Sequence, residues 1–142
     1  MINRILLFTF LIVSLLYFNS PTLYSDDMEK TYQGVPYACG GVGNSQDDPR
    51  WKTYPLKLMF TAAGRPYVAD VGVSITDTTG AEVLRVVCDA PWLLARLKPG
   101  TYSVSAQAYG STIKRTKVSV PASGQNELAI RFPEIPAQTG TE

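Results

Sequence analysis

From Tyr54 onward the chain alternates apolar and polar side chains with a period of two. Leu56, Leu58 and Phe60 enclose Lys57 and Met59, and Val71, Val73 and Ile75 enclose Gly72 and Ser74. Leu84, Val86 and Cys88 share one face of the next stretch. Tyr102, Val104, Ala106 and Ala108 alternate with Ser103, Ser105 and Gln107. Thr116, Val118 and Val120 follow, then Leu128, Ile130 and Phe132. A period of two is the pitch of a half-buried strand. Trp92, Leu93, Leu94, Ala95 and Leu97 form a short run that is apolar on both parities and predicts a strand buried on both faces.

Turn residues separate these runs. Asp77-Thr78-Thr79-Gly80 suits a tight turn, with Asp bonding the local backbone and Gly accepting a left-handed conformation. Asp89-Ala90-Pro91, Lys98-Pro99-Gly100, Gly110-Ser111 and Ala122-Ser123-Gly124 break the others. Seven short strands with polar turns and no helical periodicity predict an all-β, seven-stranded antiparallel β-sandwich of the Ig-like kind over residues 54–132. Residues 26–53, rich in Gly and Pro, predict an irregular segment. Ser45, with Asp48 three positions on, predicts the cap of one short helical turn near 46–52. Residues 133–142, with prolines and small polar groups, predict a flexible tail.

The N-terminus reads differently. Arg4 precedes an uncharged apolar run from Ile5 to Phe18, followed by a polar break. This is the pattern of a secretory signal peptide, placed at 1–25 with cleavage near Ser25. The run is shorter than the roughly 20 residues that span a bilayer, and an uncleaved membrane anchor is the alternative. The expected location is periplasmic or secreted, with no stable membrane insertion once the leader is removed.

Removing residues 1–25 takes away Arg4 and no acidic group, which leaves 12 basic and 12 acidic side chains. A neutral domain has no net field for nucleic acid, so none is expected as a partner. Lys114, Arg115 and Lys117 form one basic cluster, read as a solvated strand face. Cys39 and Cys88 are the only cysteines. In an oxidising compartment such a pair is expected to bridge, closing a loop of about 50 residues and stabilising the fold by about 4 kcal/mol.

Histidine is absent from the whole chain. That excludes Ser-His-Asp and Cys-His catalysis and any histidine metal site, and two thiolates do not complete a zinc site. No cofactor and no metal are expected. Asp47, Asp48 and Asp89 could supply oxygens to calcium, but no calcium-loop spacing is present. Gly40-Gly41-Val42-Gly43 reads as a tight backbone turn and not a phosphate cradle, since no Lys-Ser/Thr follows. Trp92 is read as core or as an anchor for a ligand. Arg96, among apolar neighbours, is expected to pair with Asp89 or Asp70. Asp47, Asp48, Asp89, Trp92 and Arg96 are therefore the candidate binding residues, and no catalytic set is assigned.

The stretch Leu97-Lys98-Pro99-Gly100-Thr101-Tyr102-Ser103-Val104-Ser105-Ala106 has the form L-x-P-G-x-Y-x-V-x-A. This resembles the signature of carboxypeptidase regulatory-like domains, and the resemblance implies a prealbumin-like sandwich without peptidase activity. Gly40 to Gly43, Tyr67 to Val71, Asp77 to Gly80 and Asp89 to Leu97 extend the similarity to small exported proteobacterial proteins of unassigned activity. Together these readings lead to a non-enzymatic exported binding or scaffolding domain, its partner a protein or an envelope component. A purely structural or envelope-stress protein without a partner is the alternative. A histidine-free hydrolase using Asp residues is the remote one.

Overall fold

The computed structural model describes residues 29–65, 67–108, 111 and 113–133. The expected leader, and all of the expected tail but Pro133, lie outside these residues. The chain folds as an all-β sandwich. Its strands are β1 Lys30–Tyr32, β2 Val35–Gly40, β3 Leu56–Ala62, β4 Val71–Thr76, β5 Glu82–Cys88, β6 Trp92–Ala95, β7 Gly100–Gln107, β8 Lys114–Val120 and β9 Asn126–Phe132. One sheet has the order β1-β2-β6-β3-β9 and the other β5-β4-β7-β8.

Among the described residues the strand count is nine and not seven. β3 to β9 fall on the seven alternating runs. β1 and β2 lie in the segment expected to be irregular. β2 hides from pattern reading because Ala38 and Gly40, on its outer face, are covered and buried like Cys39 on its inner face. With both faces dry, its sequence does not alternate.

The sandwich is also not wholly antiparallel. β9 runs parallel to β3, pairing Leu56 with Asn126 through Ala62 with Phe132, while every other pairing is antiparallel. The connection after Val120 leaves one sheet and enters the other, so hairpin geometry does not dictate the direction of β9. The Asn126 amide bonds the Pro55 carbonyl at 2.9 Å, which sets the start of β9 beside the start of β3.

The core lies between the sheets. Leu56, Leu58 and Phe60 of β3, Phe132 of β9 and Leu93 of β6 meet Val71 and Ile75 of β4, Leu84 of β5 and Val104 of β7, all under 2 % exposed. The Cys39–Cys88 disulfide joins β2 of one sheet to β5 of the other, with Cα atoms 5.6 Å apart. Two turns follow their residues closely. Asp77 Oδ1 accepts from the Thr79 and Ala81 amides at 2.9 and 3.1 Å, with Gly80 at φ +84°. After the Lys98-Pro99-Gly100 turn, the Tyr102 hydroxyl donates back to the Lys98 carbonyl at 2.7 Å. Among the described residues no helix is long and apolar enough to cross a membrane.

Candidate binding surface

The sandwich has two outer faces, and the residues singled out from sequence gather on or near the five-stranded one. Between β2 and β3 the chain makes two 3-10 turns, Gly43–Asp47 and Pro49–Thr53. They lay Trp51 and Tyr54 over Ala38 and Leu94 and close a second, small core on the outside of the sheet. Gly40 and Gly41 make room for it. A Cβ on Gly40 would stand 2.7 Å from the Trp51 ring, and one on Gly41 would drive into the Trp92 indole. The Gly-Gly-Val-Gly run is thus a seat for two indole rings.

Trp92 is half-buried, and its indole is engaged within the fold. Gly41 packs against its ring, and Lys57 Nζ lies 3.7 Å from the ring centroid while reaching Glu127 at 3.3 Å. Asp48, and not Ser45, caps the helical segment. Its Oδ1 accepts from the Arg50 amide at 2.9 Å and its Oδ2 pairs with the Arg50 guanidinium at 2.7 Å. Hydrogen bonds from the Arg50 side chain, then its backbone, hold the Asp48 carboxyl below its ordinary range. Ser45 Oγ donates instead to the Val42 carbonyl at 2.6 Å. Asp47 and Asp89 are exposed. Among the described residues no group of three or more His, Cys, Asp or Glu side chains could hold a metal, so Asp47, Asp48 and Asp89 do not form a calcium cluster.

Arg96 pairs with neither Asp89 nor Asp70. It reaches Glu29 Oε2 at 2.9 Å, and donates to the Thr53 carbonyl and hydroxyl at 3.1 and 3.0 Å. Its guanidinium carbon lies 4.0 Å from the Tyr54 ring centroid, and the Tyr54 hydroxyl donates to the same Glu29 oxygen at 2.6 Å. The partner lies 67 residues away in sequence, where no local pattern could point to it. This latch ties the first described residue to Arg96, just after β6, and to the second 3-10 turn.

The latch carries a pH signature. Burial, then the bond to Glu29, pushes the Tyr54 hydroxyl up to about 12, so it stays a neutral donor through physiological pH. The hydrogen bond from Tyr54, then that from Arg96, lowers the Glu29 carboxyl below its ordinary 4.5. A carboxyl with a lowered folded value stabilises the fold above its unfolded value and loses that contribution as pH falls through the folded one. Wild-type protein is therefore expected to be more stable than Glu29→Gln at pH 7. The gap should close as urea melts are run below about pH 4.5, the ordinary value. A constant gap across that range would remove the latch from the acid response.

The outer face of the four-stranded sheet is different. Strand register arranges its side chains in rows. Val87, Gly72 and Gln107 lie across β5, β4 and β7, with Ile113 beyond them just before β8. The next row is Arg85, Ser74, Ser105 and Arg115, and the third holds Thr76, Ser103 and Lys117. The two central columns hold Gly72 and otherwise polar residues, mostly small, and the outer columns are large. The result is a trough of about 510 Å³ along β4 and β7, floored by Gly72, Ser74 and Ser105 and walled by Arg85, Val87 and Ile113. Val87 is 73 % exposed and Ile113 46 %. They are two of the four exposed large apolar side chains among the described residues, and they stand on opposite walls of this one trough.

The chain matches no protein-family model and no curated protein.

Proposed function

We propose that this chain is an exported, non-catalytic binding domain whose recognition surface is the outer face of the four-stranded sheet. One observation carries the reading: two exposed apolar side chains, Val87 and Ile113, flank a trough whose floor is bare at Gly72. Water contact with such a pair is unfavourable, and clustered exposed apolar groups mark interaction sites. Of the five side chains singled out from sequence, three are engaged within the fold, Asp48 by Arg50, Arg96 by Glu29 and Trp92 by Lys57, while Asp47 and Asp89 are exposed. The Cys39–Cys88 bridge is consistent with an oxidising destination and supports export. The Tyr102 to Lys98 bond gives the L-x-P-G-x-Y motif a physical role, which supports the placement among carboxypeptidase regulatory-like domains.

A photo-crosslinking residue placed at Ser105, on the trough floor, should yield discrete adducts in cells expressing the exported protein. The same residue at Glu127, exposed on the opposite sheet, should not. Adducts of equal strength at both positions, or none at either, would reject the trough as the recognition surface.

A further inference from the structure

Taking the trough as the binding surface argued above, we propose that its ligand is an extended acidic segment of a partner protein. One apolar side chain of that segment sits over Gly72, and acidic side chains two and four residues away face Arg115 and Lys117.

The pitch of the trough selects an extended chain. Its rows repeat every second residue along β4 and β7, a spacing of roughly 6.8 Å, and its walls stand roughly three strand spacings, about 14 Å, apart. An extended peptide laid along the strands presents alternate side chains at the same interval. The rows differ in chemistry along that direction. The first is apolar at its ends, with Val87 and Ile113 around the hollow at Gly72. Beyond the residues that line the hollow, the second and third rows of the same sheet face end in Arg115 and Lys117 on the β8 side.

Charge selects an acidic occupant. Glu82 on β5 is already engaged, by Arg85 at 2.7 Å, Ser74 Oγ at 3.0 Å and the Tyr32 hydroxyl at 3.2 Å. Arg115 and Lys117 form no ion pair among the described residues. The hydroxyls of Ser103 and Ser105 are likewise without a side-chain partner there and can bond a peptide backbone. The residues lining the trough include no aromatic ring on which a sugar or a base could stack, and two free cations are few for a nucleic-acid backbone.

The test uses the mature, disulfide-bonded protein and a fluorescein-labelled peptide Gly-Leu-Thr-Glu-Thr-Glu-Gly, read by anisotropy at low salt. Saturable binding is expected, weakened at least about tenfold in Arg115→Glu/Lys117→Glu and in Gly72→Leu. Both variants should fold, because the charges are exposed and a Cβ at Gly72 meets only the Gln107 carbonyl, at 3.8 Å. A peptide with Lys in place of both Glu residues should prefer the charge-reversed protein over wild type. Absence of saturable binding, or equal affinity in all pairings, would overturn the acidic-peptide assignment. Binding of dextran sulfate that is lost in Gly72→Leu, with no peptide binding, would also overturn it while leaving the trough as a site. Failure of the Ser105 crosslink would remove the site itself.

Discussion

Replacing Cys39 and Cys88 together by alanine is expected to destabilise the domain by about 4 kcal/mol. The bridge spans 49 positions of sequence, and closing a loop of that length removes entropy from the unfolded chain worth about 4 kcal/mol at 25 °C. It also joins β2 to β5, strands of opposite sheets that share no hydrogen-bonded ladder. The melting temperature should fall by roughly 15 °C. The urea m-value should rise, because an unlinked chain unfolds to a more open ensemble. Exported protein should show no free thiol before reduction. A midpoint and m-value unchanged in the double variant would show that sheet packing alone holds β2 and β5 together.

Six of the seven runs read as strands from sequence alternate because each buries one face and turns the other toward water, and the seventh, β6, shows instead as a short apolar run. Pattern reading fails where a strand gives neither signal. In β2, Ala38 is sealed by Trp51 and Tyr54, so both parities are apolar or small. In β1 the strand is short and mostly exposed, with no apolar face to detect. The parallel pairing of β9 with β3 was equally hidden. Alternation reports which side chains point inward and says nothing of strand direction.

The proposed binding surface was legible only in fragments. Trp92 and Arg96 attract notice as side chains able to hold a ligand, yet each is spent on internal contacts with Lys57 and Glu29. Gly72, Ser74, Ser105 and Gln107 looked like the ordinary wet half of an alternating strand. Their adjacency follows from the register of β5, β4 and β7, which single-strand reading does not supply. One signal was available. Val87 breaks the alternation by following Val86 directly, placing an apolar side chain where Arg85 points, on the solvent face. A residue that violates the pattern without covering the core is a candidate for contact with something else.

Gly41→Ala should cost about 3 kcal/mol, from two sources that can be separated. Gly41 has φ +90°, a conformation that strains any residue with a Cβ. The added methyl also points into the Trp92 indole, which is held from elsewhere by Lys57 and flanked by Leu93 of the central core. Overpacking of this kind forces a side chain off its preferred rotamer. Gly43→Ala is the control. Its φ is +57° and nothing lies within 4 Å of the new Cβ, so conformational strain alone remains, about 1 kcal/mol. Trp92→Val removes the ring and should restore most of the steric part. In a double-mutant cycle the cost of Gly41→Ala should then fall toward that of Gly43→Ala. The near-ultraviolet circular dichroism of the indoles should change in Gly41→Ala and stay unchanged in Gly43→Ala. Equal costs for the two alanines, with no coupling to Trp92, would mean that Gly41 is required for backbone conformation only and that the ring adjusts freely.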